Sequence, residues 1–211
     1  MKCITVALAK GRLAEKAVKM FEKAGTHLEE IKDKTSRKLL FTSEDGKFKF
    51  FLSKAQDVPT YVEYGAADIG IVGKDTIAEE KRKLYEVMDL GFGKCDMCIA
   101  GEEKARERFE NGSLLRVATK YPVIARDYFY NKRHQTVEII KLNGSVELAP
   151  ILGISDVICD IVETGTTLKE NGLTVFEKIL PLSARAVVNR VSMKLKKEEI
   201  TELINRLKEV I

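Results

Sequence analysis

Apolar and polar positions along the chain switch between two periods. The opening CITVALA, residues 3–9, is a continuous apolar run of strand length. After it the period becomes helical, with Leu13, Ala17, Met20, Phe21 and Ala24 on one face and Gly25 as a stop. KLLFTSEDGKFKFFLS, residues 38–53, reads as a hairpin turning near Asp45-Gly46. QDVPTYVEYG, residues 56–65, reads as a helix capped by Asp57, with Pro59 in its first turn and Gly65 at its end. ADIGIVG, residues 67–73, is a buried-type strand, and the alternation continues through KCDMCIAG, LLRVATKY, a helix after Pro122, VEIIKL, a helical VELAPILG and DVICDIV. That order predicts parallel α/β sheets. The tail KEEITELINRLKEVI places Ile200, Leu203, Ile204, Leu207 and Ile211 on one stripe, the pattern of a docking helix.

Composition narrows the class. The 211 residues suffice for one large domain or two small ones, and 45% hydrophobic with 32% charged residues is a globular balance. The net charge of +4 is spread through mixed runs such as EEKRKLYE and EEKARERFE, which suit solvated helix faces. Aromatic residues make up 7% and Trp is absent, so no basic stripe with stacking platforms is predicted and nucleic acid is not an expected partner. A mild basic excess suits small polyanions instead. The N-terminus lacks signal-peptide architecture and no apolar run reaches membrane-spanning length, so a soluble, cytoplasmic protein without membrane contact is expected. Cys3, Cys95, Cys98 and Cys159 fit reduced thiols there. Cys95 and Cys98 form a C-x-x-C, but on a strand they point to opposite faces, and no further ligands complete a zinc site, so they read as small apolar fillers.

The richest chemistry lies in DVICDIVETGTTLKENGL, residues 156–173. A strand over 156–161 and a helix from Thr167 would put the intervening loop at the strand's C-terminal end, where ligands gather in open α/β sheets. Gly165 lets the backbone turn, the first helical amides are unpaired donors, and Thr164, Thr166 and Thr167 add hydroxyls. The loop alone fits a phosphate cradle and an ordinary capped βα turn equally well. Asp160 and Glu163 add a constraint, because carboxylates beside a phosphate repel it unless they have hydroxyls or a metal to hold. A sugar carrying both a phosphate and a free diol satisfies both halves. GIVGKDT has Asp75 where a P-loop needs Ser or Thr, GFGKCD lacks the third glycine of the dinucleotide fingerprint, and only His27 and His134 are present for histidine chemistry.

Acidic residues followed by T-G-x-T-L resemble the 5-phosphoribosyl 1-diphosphate (PRPP) loop of phosphoribosyltransferases. With KGRL at 10–13, DVPTYVEYGAADIGIVGKD at 57–75, ATKYP at 118–122 and LNGSVELAPILGISDVICDIVETGTTLKENGL at 142–173, the chain resembles the ATP phosphoribosyltransferase family. The resemblance implies a two-lobed α/β fold like type II periplasmic binding proteins, with the active site in the interlobe cleft. Lobe I would comprise residues 1–91 and 175–211 and lobe II residues 92–174, with crossings near Gly91 to Gly93 and near Thr174. It implies the first step of histidine biosynthesis, in which ATP and PRPP give N1-(5-phosphoribosyl)-ATP and pyrophosphate. Glu163, Thr164, Gly165, Thr166 and Thr167 would grip the 5-phosphate and Asp160 the ribose hydroxyls, with Lys10 and Arg12 neutralising pyrophosphate or triphosphate. Lys54 and Arg37 are further candidates for the same anions, and Glu147 either lines the site or sits in a helix's first turn.

Magnesium is expected through the substrate phosphates, with no protein metal ligand. A chain ending at Ile211 resembles the short form, which implies a regulatory subunit resembling a histidyl-tRNA synthetase and a hetero-octamer. Two departures stand out: Ala9 replaces the family's usual Pro before KGR, and NRVSMK at 189–194 replaces NPVSYR in what reads as a late strand. Two other classes compete, a binding module without chemistry and a phosphoribosyltransferase using another acceptor.

Overall fold

The structure, a computed structural model, describes residues 3–33 and 37–211. In chain order its elements are β1 (Ile4–Ala9), α1 (Arg12–Lys23), β2 (Leu40–Thr42), β3 (Phe48–Ser53), α2 (Val58–Glu63), β4 (Ile69–Gly73), α3 (Lys74–Glu80) and β5 (Tyr85–Asp89). There follow β6 (Cys95–Gly101), α4 (Arg106–Glu110), β7 (Leu115–Thr119), α5 (Pro122–Arg126), β8 (Val137–Lys141), α6 (Leu148–Ile151), β9 (Val157–Val162) and α7 (Thr166–Glu170). The chain closes with β10 (Thr174–Leu182), β11 (Ala184–Val188), α8 (Ser192–Leu195) and α9 (Lys197–Lys208). It divides into two compact units, residues 1–93 with 183–211, and residues 94–182.

The first unit is built on a six-stranded sheet ordered β2-β3-β1-β4-β11-β5. β1 runs parallel to β3 and β4, so all three end at one edge of the sheet. The apolar run that starts the chain fills the middle: Val6, Ala7 and Leu8 are fully buried. On one face α1 contributes Phe21, which meets Phe50 of β3 edge-on with ring centroids 5.0 Å apart. Ile200, Leu203, Ile204 and Leu207 of α9 join the same cluster, as the helical stripe requires. On the other face α2 packs so closely that a Cβ on Gly70 would stand 2.8 Å from side-chain carbons of both Val58 and Val62, so only glycine allows that approach. α8 and α9 are tied to the sheet by Asp68, which is 5% exposed. Its carboxylate accepts hydrogen bonds from the Thr5 amide, the Ser192 hydroxyl and the Lys196 ammonium at 2.8, 2.6 and 2.7 Å. A buried carboxylate is tolerable when it is paired and bonded in this way.

The second unit holds a five-stranded sheet ordered β10-β6-β9-β7-β8. β7 is parallel to β8 and β9, while β6 is antiparallel to β9 and β10. Ala100, Ala118 and Ile158 form one face of the sheet, covered by Val146 and Ala149 around α6 and by Leu168 of α7.

Several expectations change. Both sheets are mixed rather than parallel, because β11 returns antiparallel to β4 in one unit and β6 and β10 run against the parallel strands in the other. β10 pairs with β6 along its length, so the chain leaves the second unit after Leu182, eight residues beyond the crossing expected near Thr174. Asp57 stands at the head of α2 without a side-chain capping bond; a preceding 3-10 turn supplies the entry, with the Asp57 amide donating to the Lys54 carbonyl at 3.0 Å. α9 stops at Lys208 and Ile211 is 59% exposed, so the stripe ends at Leu207. NRVSMK is not a strand. Asn189 accepts the Val191 and Ser192 amides at 2.9 and 2.8 Å and turns the chain into α8.

Candidate functional site

In the second unit the parallel strands β7 and β9 end side by side, and the chemistry sits where they end. Alternation along β9 puts Ile158, Asp160 and Val162 on one face, the face packed by α6 and α7. Ile158 and Val162 join the apolar cluster, and Asp160 between them is half-buried. Burial therefore pushes the Asp160 carboxyl up to about 6 from 3.8, opposed by the Ile161 amide that bonds to it; the negative charge of Glu147 raises it further and the positive charge of Lys120 opposes that. Its neighbours come from separate elements: Glu147 heads α6 and Lys120 follows β7.

Immediately after β9 the chain enters the loop of residues 163–165. Gly165 adopts a left-handed conformation with φ 77° at the head of α7. A Cβ there would meet only Val162 at 3.8 Å, so glycine is required by backbone conformation and not by lack of space. Glu163, Thr164, Thr166 and Thr167 are exposed. The Thr164 and Thr166 hydroxyls lie 3.0 Å apart, and the Thr166 amide donates to the Thr164 hydroxyl at 3.4 Å. Thr166, one residue earlier than expected, begins the helix, and the N-cap position is held by Gly165 and not by a threonine. The paired Thr164 and Thr166 hydroxyls thus stand with the amides of a helix start at a left-handed glycine, an arrangement suited to a tetrahedral anion.

The first unit gathers a different set. Lys10 follows β1 and its amide donates to the Ser53 carbonyl at the end of β3 at 2.8 Å. Because β1 and β3 are parallel with Ala9 opposite Ser53, Lys10 and Lys54 stand next to each other at the same edge. Gly11, at φ 97°, heads α1, and Arg12 is its first residue. Lys10, Arg12 and Lys54 are exposed. Lys10 and Arg37 line one cavity of about 790 Å³ in this unit, floored by Val18, Phe41 and Leu52.

A family model of ATP phosphoribosyltransferase matches residues 54–209. The chain is 69% identical to the ATP phosphoribosyltransferase of Lachnoclostridium phytofermentans over all 211 of its residues and 98% of that protein's length. It belongs to the ATP phosphoribosyltransferase family. It is accordingly a transferase of the glycosyltransferase type. Among solved structures, the ATP phosphoribosyl transferase (HisG:HisZ) complex of Thermotoga maritima matches at 35% identity and a TM-score of 0.81, covering 98% of both chains. A putative periplasmic sulfonate-binding protein, SsuA of Methylobacillus flagellatus, shares the fold alone, at 14% identity and a TM-score of 0.66, covering all of this chain and 68% of its own. The α/β fold is therefore that of the family and of type II periplasmic binding proteins.

Against the family resemblance, the structure groups the candidates by unit. Asp160 and residues 163–167 are contiguous in the second unit, and Lys10, Arg12 and Lys54 are neighbours in the first. Sequence reasoning set Glu147 aside and gave Lys120 no role, yet both act electrostatically on Asp160. The position of Lys120 directly after a strand of the parallel pair was the available signal. Among the described residues no three His, Cys, Asp or Glu side chains converge as a metal site, and no helix is long and apolar enough to cross a membrane.

Proposed function

We propose that the chain catalyses transfer of the 5-phosphoribosyl group of PRPP to N1 of the adenine of ATP, releasing pyrophosphate, as the first step of histidine biosynthesis. The observation that carries this reading is the half-buried Asp160 set directly before an exposed threonine loop at the C-terminal end of β9, in a chain so similar to named transferases over its full length. The amides and hydroxyls of residues 163–167 take the 5-phosphate, and Asp160 accepts the ribose hydroxyls. As the bond from C1 to the pyrophosphate oxygen breaks, the leaving group keeps the electron pair and positive charge develops on the sugar. The Asp160 carboxylate favours that charge, and the N1 lone pair closes the new bond. Lys10, Arg12 and Lys54 neutralise the pyrophosphate or triphosphate, Arg12 with the fork geometry that suits phosphate and the lysines as point charges.

Magnesium would enter with the substrate phosphates, which the exposed hydroxyls and amides of residues 163–167 would hold, and would supply charge neutralisation there. The match to a chain of the Thermotoga HisG:HisZ complex along its whole length supports a regulatory partner of that kind; the partner's resemblance to a histidyl-tRNA synthetase, assembly as a hetero-octamer and work in the cytoplasm are part of the same proposal. The test is pyrophosphate release from PRPP and magnesium, with and without ATP, with that subunit supplied. Release that requires ATP and produces phosphoribosyl-ATP supports the reading. PRPP binding without release under those conditions sinks it in favour of a binding module.

A further inference from the structure

Both segments that connect the two units pass through one cluster of side chains in the first unit, and we propose that Asp89 is a positioning residue that clasps them into a single hinge. β5 ends at Asp89 and β11 starts at Ala184, antiparallel, with Asp89 opposite Arg185. Because β11 is also antiparallel to β4, and β4 is parallel to β1, the exit and the return lie at the same edge of the sheet as Lys10 and Lys54. Backbone pairing continues past the strands: the Leu90 amide donates to the Ala184 carbonyl and the Ala184 amide to the Phe92 carbonyl, both at 2.9 Å. Asp89 adds a side-chain link. One of its carboxylate oxygens accepts the Gly91 amide of the outgoing segment and the Ser183 hydroxyl of the returning one, each at 2.9 Å. Its other oxygen pairs with the Arg185 guanidinium at 3.0 Å.

Neighbouring groups hold the clasp in place. Ser183 is buried, and its carbonyl accepts the Lys74 amide at 2.9 Å. Glu86 pairs with both the Lys74 ammonium and the Arg185 guanidinium, so the exit from β4, the strand β5 and the start of β11 share one network. The outgoing segment is otherwise built to turn: Gly91 and Gly93 stand on either side of Phe92 with φ 73° and 66°. A hinge absorbs rotation at a few such positions, and an exposed ion pair alone restrains them weakly. Hydrogen bonds from both segments to a single oxygen restrain them together, so that a turn of one carries the other. The inference rests on the reading of Lys10, Lys54 and residues 163–167 as the groups that hold the two substrates. On that reading the clasp sets the alignment of the reacting atoms and not the grip on either substrate.

The test compares Ser183→Ala, Ser183→Thr and Asp89→Ala with the wild type, each with the regulatory partner supplied, by amide hydrogen exchange and steady-state kinetics. In Ser183→Ala and Asp89→Ala, exchange at Leu90 and Ala184 should speed by about tenfold. Ala186 and Val188, inside the paired part of β11, should exchange as in the wild type. In both variants kcat should fall by about tenfold with the KM for PRPP within about twofold of its original value. Ser183→Thr keeps the hydroxyl and should restore both readouts. A kcat that stays at the wild-type value in both alanine variants overturns the proposal. So does faster exchange spread evenly through β4 and β11, which is a loss of stability alone, or a KM that rises while kcat holds, which is a loss of binding. If Asp89→Ala does not fold, Ser183→Ala decides, because it removes only the link between the segments. Absent pyrophosphate release by the wild type with its partner is instead a failure of the functional reading, and exchange at Leu90 and Ala184 then still decides whether the clasp exists.

Discussion

The two units end their parallel strands in opposite chemistry. In the first, the ends of β1 and β3 carry Lys10, Arg12 and Lys54, all exposed. In the second, the half-buried Asp160 near the end of β9 is followed by the exposed Glu163 and the threonine hydroxyls, with Glu147 at the head of α6 and Lys120 after β7. Both use the same architectural edge, where strand ends leave backbone and loop free to meet a ligand. The difference lies in what each edge can hold. Exposed cations neutralise a chain of phosphates but discriminate little. In the proposed reading, a desolvated carboxylate beside a glycine-turned hydroxyl loop takes one phosphate joined to a diol.

The largest expected effect breaks the second edge. Asp160→Asn keeps the shape and removes the charge, and should lower kcat by about 100- to 1,000-fold in steady-state assays. The same substitution should stabilise the fold. Because burial raises this carboxyl to about 6 from 3.8, the wild type carries an ionisation penalty that is complete above pH 6, shrinks as pH falls from 6 towards 3.8, and is absent below. Thermal unfolding of Asp160→Asn should therefore show a gain at pH 8 that narrows at pH 5.

Next, Lys10→Ala should reduce kcat/KM by about 10- to 100-fold, the range for a hydrogen bond to a charged group. Because Lys10 is exposed, activity in the wild type should fall with added salt more than it does in Lys10→Ala. Thr164→Ala/Thr167→Ala should raise the KM for PRPP by about tenfold, with little change in that salt dependence. Lys54→Ala should have the smallest effect, about two- to fivefold on KM, because Lys10 beside it still holds the edge positive. Equal salt dependence for the threonine and lysine variants would dissolve the distinction between the edges.

Much of this was legible in the chain. Periodicity located α1, the β2–β3 hairpin, β4, β9 and the buried stripe of α9, because each buries one face in a pattern that composition alone carries. Strand direction was not legible. Nothing local in Ala184–Val188 distinguishes a strand that returns antiparallel to β4 from one that continues a parallel series, and the hydrogen-bond partners that decide it are more than a hundred residues away. The chain's return to the first unit was missed for the same reason, since β10 declares its unit only by pairing with β6. Asp57 misled because a favoured capping residue was displaced by a 3-10 turn entering the helix ahead of it. In the second unit the glycine and threonines announced themselves by type. Lys120 and Glu147 did not, because their charges bear on Asp160 from separate elements of the chain.

The most direct test of the opposition between the edges is amide hydrogen exchange with PRPP and magnesium added in the absence of ATP. The account predicts that exchange slows at residues 163–168, where hydroxyls and helix-start amides close on the 5-phosphate, and that the slowing is lost in Thr164→Ala/Thr167→Ala. PRPP binding that leaves those amides unchanged while protecting Lys10 to Arg12 would contradict it, placing the sugar phosphate on the cationic edge instead.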